Sequence, residues 1–179
     1  AVNLALLMAM VWMGASYLKR YNSDAEAVLY AAGFFFLSTT FAYAFWLHPE
    51  LFNMASVMAS LYLAFRWWES DAEPPGGTWS RRIAAAAPVL SGAVLAPAVY
   101  NKPVLAAFGL VPLFLLARRR RGRELAGWLL GAVVAMALLA GLSTALTGHP
   151  SAYLGVQRSG VPVETIDEMP VEPQEVRAD

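Results

Sequence analysis

Every charged residue of this chain falls outside six long apolar stretches, and a chain partitioned in this way has few means of folding in water. The stretches are Ala1–Leu18, Val28–Leu47, Leu51–Phe65, Ile83–Val99, Pro103–Ala117 and Leu125–Leu146. At roughly 15 to 22 residues each, they approach the length a helix needs to cross a hydrocarbon core of about 30 Å. Ten of the thirteen Lys and Arg residues occupy alternate gaps. Lys19 and Arg20 follow the first stretch; Arg66, Arg81 and Arg82 lie between the third and fourth. Arg118, Arg119, Arg120, Arg121 and Arg123 separate the fifth from the sixth. Cytoplasmic loops collect Lys and Arg, so the first, third and fifth connections are expected inside. The His48–Glu50 turn, the Asn101–Pro103 turn and the C-terminal tail are then expected outside, with only Lys102, Arg158 and Arg177 as cations on that side. The expected fold is all-α: a polytopic transmembrane bundle of about six spanning helices over residues 1–148, with an acidic, Pro-containing outward loop or tail over 149–179. The expected location is the plasma (inner) membrane.

Composition points the same way. Apolar residues make up 58 % of the chain and charged residues 15 %, against roughly 25 % charged in soluble domains. A soluble helical domain would need polar helix faces, and Leu125–Leu146 carries no charge around its circumference. The net charge of +0 conceals basic inner loops and an outer tail holding Glu164, Asp167, Glu168, Glu172, Glu175 and Asp179. Membrane orientation accounts for the Arg118–Arg123 cluster, which also suits anionic lipid headgroups, so no nucleic-acid partner is expected. With no cysteine there is neither a disulfide nor a thiolate metal site. The chain opens inside an apolar run, and it reads as a piece of a longer polytopic protein with at least one helix upstream.

Irregularities in the stretches mark where polar chemistry fits. Leu51–Phe65 and Pro103–Ala117 are short for a span and both begin at outward turns. That suits helices lining a wet outward cavity, or equally a locally thinned bilayer. Pro88 and Pro97 predict a kinked fourth helix. Ala84–Ala87, Gly92 and the Gly127/Gly131 pair predict close packing within the chain. Residues Glu69–Ser80, built around Pro74, Pro75, Gly76 and Gly77, read as a linker. The tail from Val161 to Asp179 is expected to lack a packed core of its own.

Candidate site residues lie on the outward turns. His48, Pro49 and Glu50 lead into the third stretch, with Asn53 one turn further on. Ionisable groups at a membrane boundary are costly and mark function by default. The alternative is a solvated loop in which Glu50 simply favours a helix N-terminus. Lys102, between Asn101 and Pro103, departs from the charge rule and suits an anionic group such as phosphate, or alternatively snorkels to headgroups. After the last stretch come His149, Pro150, Tyr153, Gly155, Gln157 and Arg158; Arg158 is a candidate phosphate clamp. His48 and Glu50 alone do not make a metal site. No cofactor is expected from the residues, which leave participation of a divalent metal open.

The run FFFLSTTFAYAFWLHPELFNMASVMASLYLAFR over Phe34–Arg66 resembles a pair of adjacent helices in GT-C-type integral membrane glycosyltransferases, where an outward loop with an acidic residue leads into an apolar, aromatic-containing helix. The following APVLSGAVLAPAVYNKPVLAAFGLVPLFLL resembles that superfamily's small-residue-rich helix ending in a Lys before another span. The resemblance covers roughly Val28 to Ala117 and is one of pattern. It implies transfer of a sugar from a polyprenyl-phosphate donor to an acceptor at the outer face. Glu50 matches the second outward acidic position, with His48 beside it. Lys102 matches the helix-end Lys that would hold the lipid phosphate. Asn53, Asn101 and Tyr153 would line the substrate site, and Arg158 joins it by charge and side alone. The family's principal Asp sits on a first outward loop that has no counterpart here. A multi-pass transporter or a non-catalytic membrane subunit is the alternative, although no internal repeat is visible.

Overall fold

The structure is a computed structural model that describes residues 2–44, 49–68 and 78–151. The chain is all-helical, with no strand among the described residues. It runs as α1 (Val2–Leu18), α2 (Asp24–Phe36), α3 (Thr39–Ala44), α4 (Glu50–Trp68), α5 (Thr78–Asn101), a 3-10 segment (Pro103–Gly109), α6 (Leu110–Arg118) and α7 (Gly122–Thr147). His48, Tyr153, Gly155, Gln157, Arg158 and the Val161–Asp179 tail lie outside the described residues, and so do the readings made on them.

Local chemistry explains where these elements begin and end. Ser23 caps α2: its hydroxyl accepts from the Glu26 backbone N–H, while the Glu26 carboxylate accepts from the Ser23 backbone N–H at 3.0 Å. This reciprocal box satisfies two amide donors that a helix N-terminus otherwise leaves open. At the other extreme, Gly148 adopts φ 75° and its N–H bonds the Thr144 carbonyl, closing α7 with a left-handed residue.

Two expected spans are not single α-helices. Val28–Leu47 is interrupted at Leu37–Ser38, between α2 and α3. There the Ser38 hydroxyl donates to the Phe35 carbonyl at 3.2 Å and accepts from the Thr40 N–H at 3.3 Å. These local bonds offer the backbone an alternative to the helical ladder. Pro103–Ala117 divides into the 3-10 segment and α6. Pro112 has no N–H, and its ring crowds the carbonyl four residues earlier, at Phe108, so the regular ladder starts only near Leu110. Three of the remaining four stretches extend beyond their expected limits. Leu51–Phe65 belongs to a 19-residue α4 and is not a short helix. Thr78–Ser80, expected as linker, are the first turn of α5, which continues as one 24-residue helix through Pro88 and Pro97.

Among the described residues, two helices are long and apolar enough to cross a membrane: α5, through Ala84–Asn101 with mean hydropathy 1.3, and α7, with mean hydropathy 2.2. At 1.5 Å per residue, the 26 residues of α7 span roughly 39 Å.

Two apolar clusters share α4. One joins Leu7, Met10 and Met13 of α1 to Ala31 and Phe35 of α2 and to Leu51 and Ala55 of α4. The other joins Val57 and Ala64 of α4 to Leu95 and Ala98 of α5, Leu116 of α6 and Trp128 of α7. The α5–α7 contact is the closest of the packing surfaces for which glycines are responsible. A methyl group at Gly92 would land on the Trp128 carbonyl oxygen, and one at Gly131 on the Val89 carbonyl oxygen. Gly127 rests against Val89 and Pro88. The Gly127/Gly131 pair therefore packs within the chain, as its sequence suggested.

Candidate functional site

The first turn of α4 and the α5–3-10 junction meet at one end of the bundle. Glu50 opens α4, where a carboxylate is favoured by the helix N-terminus. Lys102 stands in extended backbone before Pro103, immediately after α5 ends. The Lys102 ammonium donates to Glu50 Oε1, forming an ion pair that is partly open to solvent. Asn53, one turn into α4, accepts through Oδ1 from Nδ2 of Asn101, the residue just before Lys102, at 3.0 Å. The two turns are thus joined by an outer ionic contact and an inner amide contact.

Asn53 is 1 % exposed, and its Nδ2 has no hydrogen-bond partner among the described residues. Leaving a buried amide donor unmade costs about 1–3 kcal/mol.

Asn53 and Glu50 form the polar end of a cavity of about 330 Å³. Its floor is one face of α4, carrying Met54, Val57, Met58 and Leu61 below the two polar residues. Met10 of α1 with Phe34 and Phe35 of α2 form one wall, and Leu105 and Phe108 of the 3-10 segment form the other. From Glu50 to Leu61 the cavity follows α4 for roughly 16 Å at 1.5 Å per residue. The arrangement is therefore a greasy slot with charge and amide groups at one mouth. That suits an amphiphile, because apolar walls accept a chain and convergent polar groups orient a head.

A second contact brings the post-α7 loop to the same end. The Tyr100 hydroxyl donates to the Pro150 carbonyl at 3.0 Å. His149 sits in that turn, its N–H bonded to Thr147 Oγ1 at 3.3 Å. Of the site residues expected from sequence, the structure brings Glu50, Asn53, Asn101 and Lys102 into one constellation and sets His149 and Pro150 beside it. Among the described residues, no group of three His, Asp or Glu side chains could hold a metal ion.

Sequence reasoning missed the apolar slot, whose signal is the spacing 50, 53, 54, 57, 58 and 61 along one face of α4. It also missed a buried polar network at the α4–α5–α7 junction. There the Trp128 indole N–H donates to Ser91 Oγ at 3.2 Å, and Ser91 Oγ donates to the Ser60 carbonyl at 3.0 Å. The Ser60 hydroxyl lies 3.1 Å from that of Ser91. Isolated hydroxyls in otherwise apolar stretches were the available signal, since such groups bond across helices.

No family model, curated protein or solved structure matches the chain.

Proposed function

We propose that these helices form part of a GT-C-type integral membrane glycosyltransferase, moving a sugar from a polyprenyl-phosphate donor to an acceptor hydroxyl at the outer face of the plasma membrane. The observation that carries the reading is the convergence of Glu50, Lys102, Asn53 and Asn101 at the mouth of an apolar slot. Sugar transfer of this kind needs little from the protein. The acceptor oxygen bonds to the anomeric carbon while the bond from that carbon to the phosphate oxygen breaks, and the electron pair leaves with the phosphate. The acceptor proton passes to a carboxylate, and a cation stabilises the charge gathering on the leaving group. Glu50 orients the acceptor and assists the base; His48 is assigned beside it from sequence. Lys102, with its side chain 40 % exposed, meets the donor phosphate from the open side. Asn101 holds Asn53 in place, and Arg158 and Tyr153 are assigned to the substrate from sequence alone.

The test is sugar transfer from a polyprenyl-phosphate donor by the intact parent protein. Glu50→Gln is expected to lower kcat about 100-fold with KM little changed, in the range that positioned acid–base groups supply. Lys102→Ala is expected to raise the donor KM about tenfold, because the cation meets phosphate in ground and transition states alike. Full activity in both variants would sink the reading.

A further inference from the structure

The connection between α6 and α7 carries more charge than orientation asks of it. The connection after α1 holds Lys19 and Arg20 together with Asp24 and Glu26, and the one before α5 holds Arg66, Arg81 and Arg82 together with Glu69, Asp71 and Glu73. Between α6 and α7, Arg118, Arg119, Arg120, Arg121 and Arg123 are matched by Glu124 alone. Orientation follows from Lys and Arg whatever acids accompany them, and the other two connections meet it with two and three. We infer that the α6–α7 turn binds the headgroup phosphate of an anionic phospholipid, whose chains lie on the exposed faces of the two helices that leave the turn. The inference needs a membrane around the chain and is independent of the sugar-transfer reading.

The arginine side chains are not needed to close α6. The backbone N–H groups of Arg119, Arg120 and Arg121 bond the Leu115, Ala117 and Leu116 carbonyls at 3.0 to 3.1 Å, so the backbone itself satisfies the carbonyls that a basic side chain would otherwise serve. Arg120 is held at φ 53°, at the position where helix ends of this kind favour glycine. A costly backbone conformation persists where the surroundings hold it and clusters at functional residues; the side chain kept there is an exposed guanidinium. Arg118 and Arg123 are exposed as well, and among the described residues no carboxylate pairs with any of these three. Lys19, by contrast, pairs with Asp24 at 3.4 Å. Guanidinium groups bind phosphate oxygens through paired N–H bonds, and basic clusters at the cytoplasmic ends of membrane helices take anionic headgroups. The surface beside the turn selects a lipid as the carrier of that phosphate. Leu110 and Phe114, eight and four residues before Arg118 on one face of α6, are each 64 % exposed. Leu130, seven residues after Arg123 along α7, is also exposed. Each helix therefore has an apolar flank that ends in an arginine, the order in which a phospholipid sets chain and headgroup.

The experiment reconstitutes the full chain into phosphatidylcholine bilayers carrying a trace of spin-labelled phosphatidylglycerol or spin-labelled phosphatidylcholine, and measures the fraction of each label whose motion the protein restricts. Phosphatidylglycerol is expected to be preferred about fivefold, the scale of one arginine at an anionic headgroup. Arg118→Gln, Arg120→Gly and Arg123→Gln combined are expected to remove the preference. Arg120→Gly alone is expected to roughly halve it while helical content by circular dichroism is kept, because glycine suits the left-handed turn. Lys19→Gln combined with Arg82→Gln, at the same end of the bundle but outside the turn, is expected to leave the preference unchanged. Equal restriction of the two lipids by the unaltered chain would overturn the inference, as would a preference that survives the triple variant. Loss of the preference in the Lys19 and Arg82 variant would assign it to the basic end as a whole and overturn the turn as its site. Release of the labelled lipid by soluble glycerol phosphate would make the turn a site for a free phosphate and overturn the lipid assignment.

Discussion

Glu26 and Glu50 show how differently one residue type is used at two helix starts. Glu26 lies before the second apolar stretch and is fully exposed. Its carboxyl is held below the ordinary value near 4.5, first by the Ser23 hydroxyl and then by the Ser23 backbone N–H. A lowered carboxyl pKa means that the capping contact is complete above the ordinary value and is lost as pH falls through the lowered one. Ser23→Ala is therefore expected to raise the Glu26 pKa toward 4.5, as a carbon-detected NMR titration of that carboxyl would measure; an unchanged value would show that the hydroxyl is not its cause. Glu50 begins its helix in the same way but turns to Lys102. Both charges were legible as candidates in the sequence, because ionisable groups at the boundaries of apolar stretches are costly, but their direct pairing was not. The Asn53–Asn101 bond was not legible as a pair. Asn53 stood one turn from Glu50 and Asn101 next to Lys102, but only the relative rotation of α4 and α5 sets them face to face. The Ser60–Ser91–Trp128 network was hidden for the same reason. Ser91→Ala leaves the buried Trp128 indole N–H without its bond and is expected to cost about 1–3 kcal/mol, read from unfolding followed by the Trp emission.

At the scale of elements, the apolar pattern gave the helices but not their interruptions. A hydropathy stretch such as Val28–Leu47 records only that each side chain tolerates an apolar setting. The break at Leu37–Ser38 comes from a hydroxyl bonding its own backbone, which is a local conformational choice and not a change in hydropathy. Prolines behave in two ways along this chain. Pro88 and Pro97 are carried within α5, whereas Pro112 coincides with the change from 3-10 to α geometry. Small residues were the better guide to packing, and the α5–α7 contact makes a direct test. Gly131→Ala sets a methyl on the Val89 carbonyl and must push the helices apart, which is expected to cost about 1–3 kcal/mol. Gly141→Ala, ten residues along the same helix, meets nothing within 4 Å. It is expected to be neutral, or to stabilise by up to about 1 kcal/mol through helix propensity. Equal loss from both in denaturant unfolding would mean that glycine matters to α7 through flexibility and not through the interface.

For the whole molecule, three contacts between distant parts of the chain fix which ends lie together. Arg20 donates to the Phe65 carbonyl at 3.1 Å, joining the first connection to the end of α4. The Glu50–Lys102 and Tyr100–Pro150 contacts join the start of α4, the end of α5 and the loop after α7 at the opposite end. Since α5 packs on α7 and its end, at Tyr100, meets Pro150 just after α7, those two helices run in parallel from the end where Arg118–Arg123 stand. The connections expected outside thus share one end with the candidate site. The surface of α7 suits a lipid setting: Leu130, Val133, Leu138 and Leu146 are 60 to 75 % exposed, and only 11 % of the helix is buried within the chain. In water each of those side chains would forgo about 1.5–3 kcal/mol of burial, a penalty that vanishes against lipid tails. The basic end is then expected in the cytoplasm. In this Cys-free chain, Ser151→Cys should react with an impermeant maleimide in intact cells, and Gly122→Cys should react only after the membrane is opened. Reaction at Gly122→Cys with protection at Ser151→Cys would place the Glu50–Lys102 site on the cytoplasmic face, where a phosphate-linked sugar donor facing outward could not reach it.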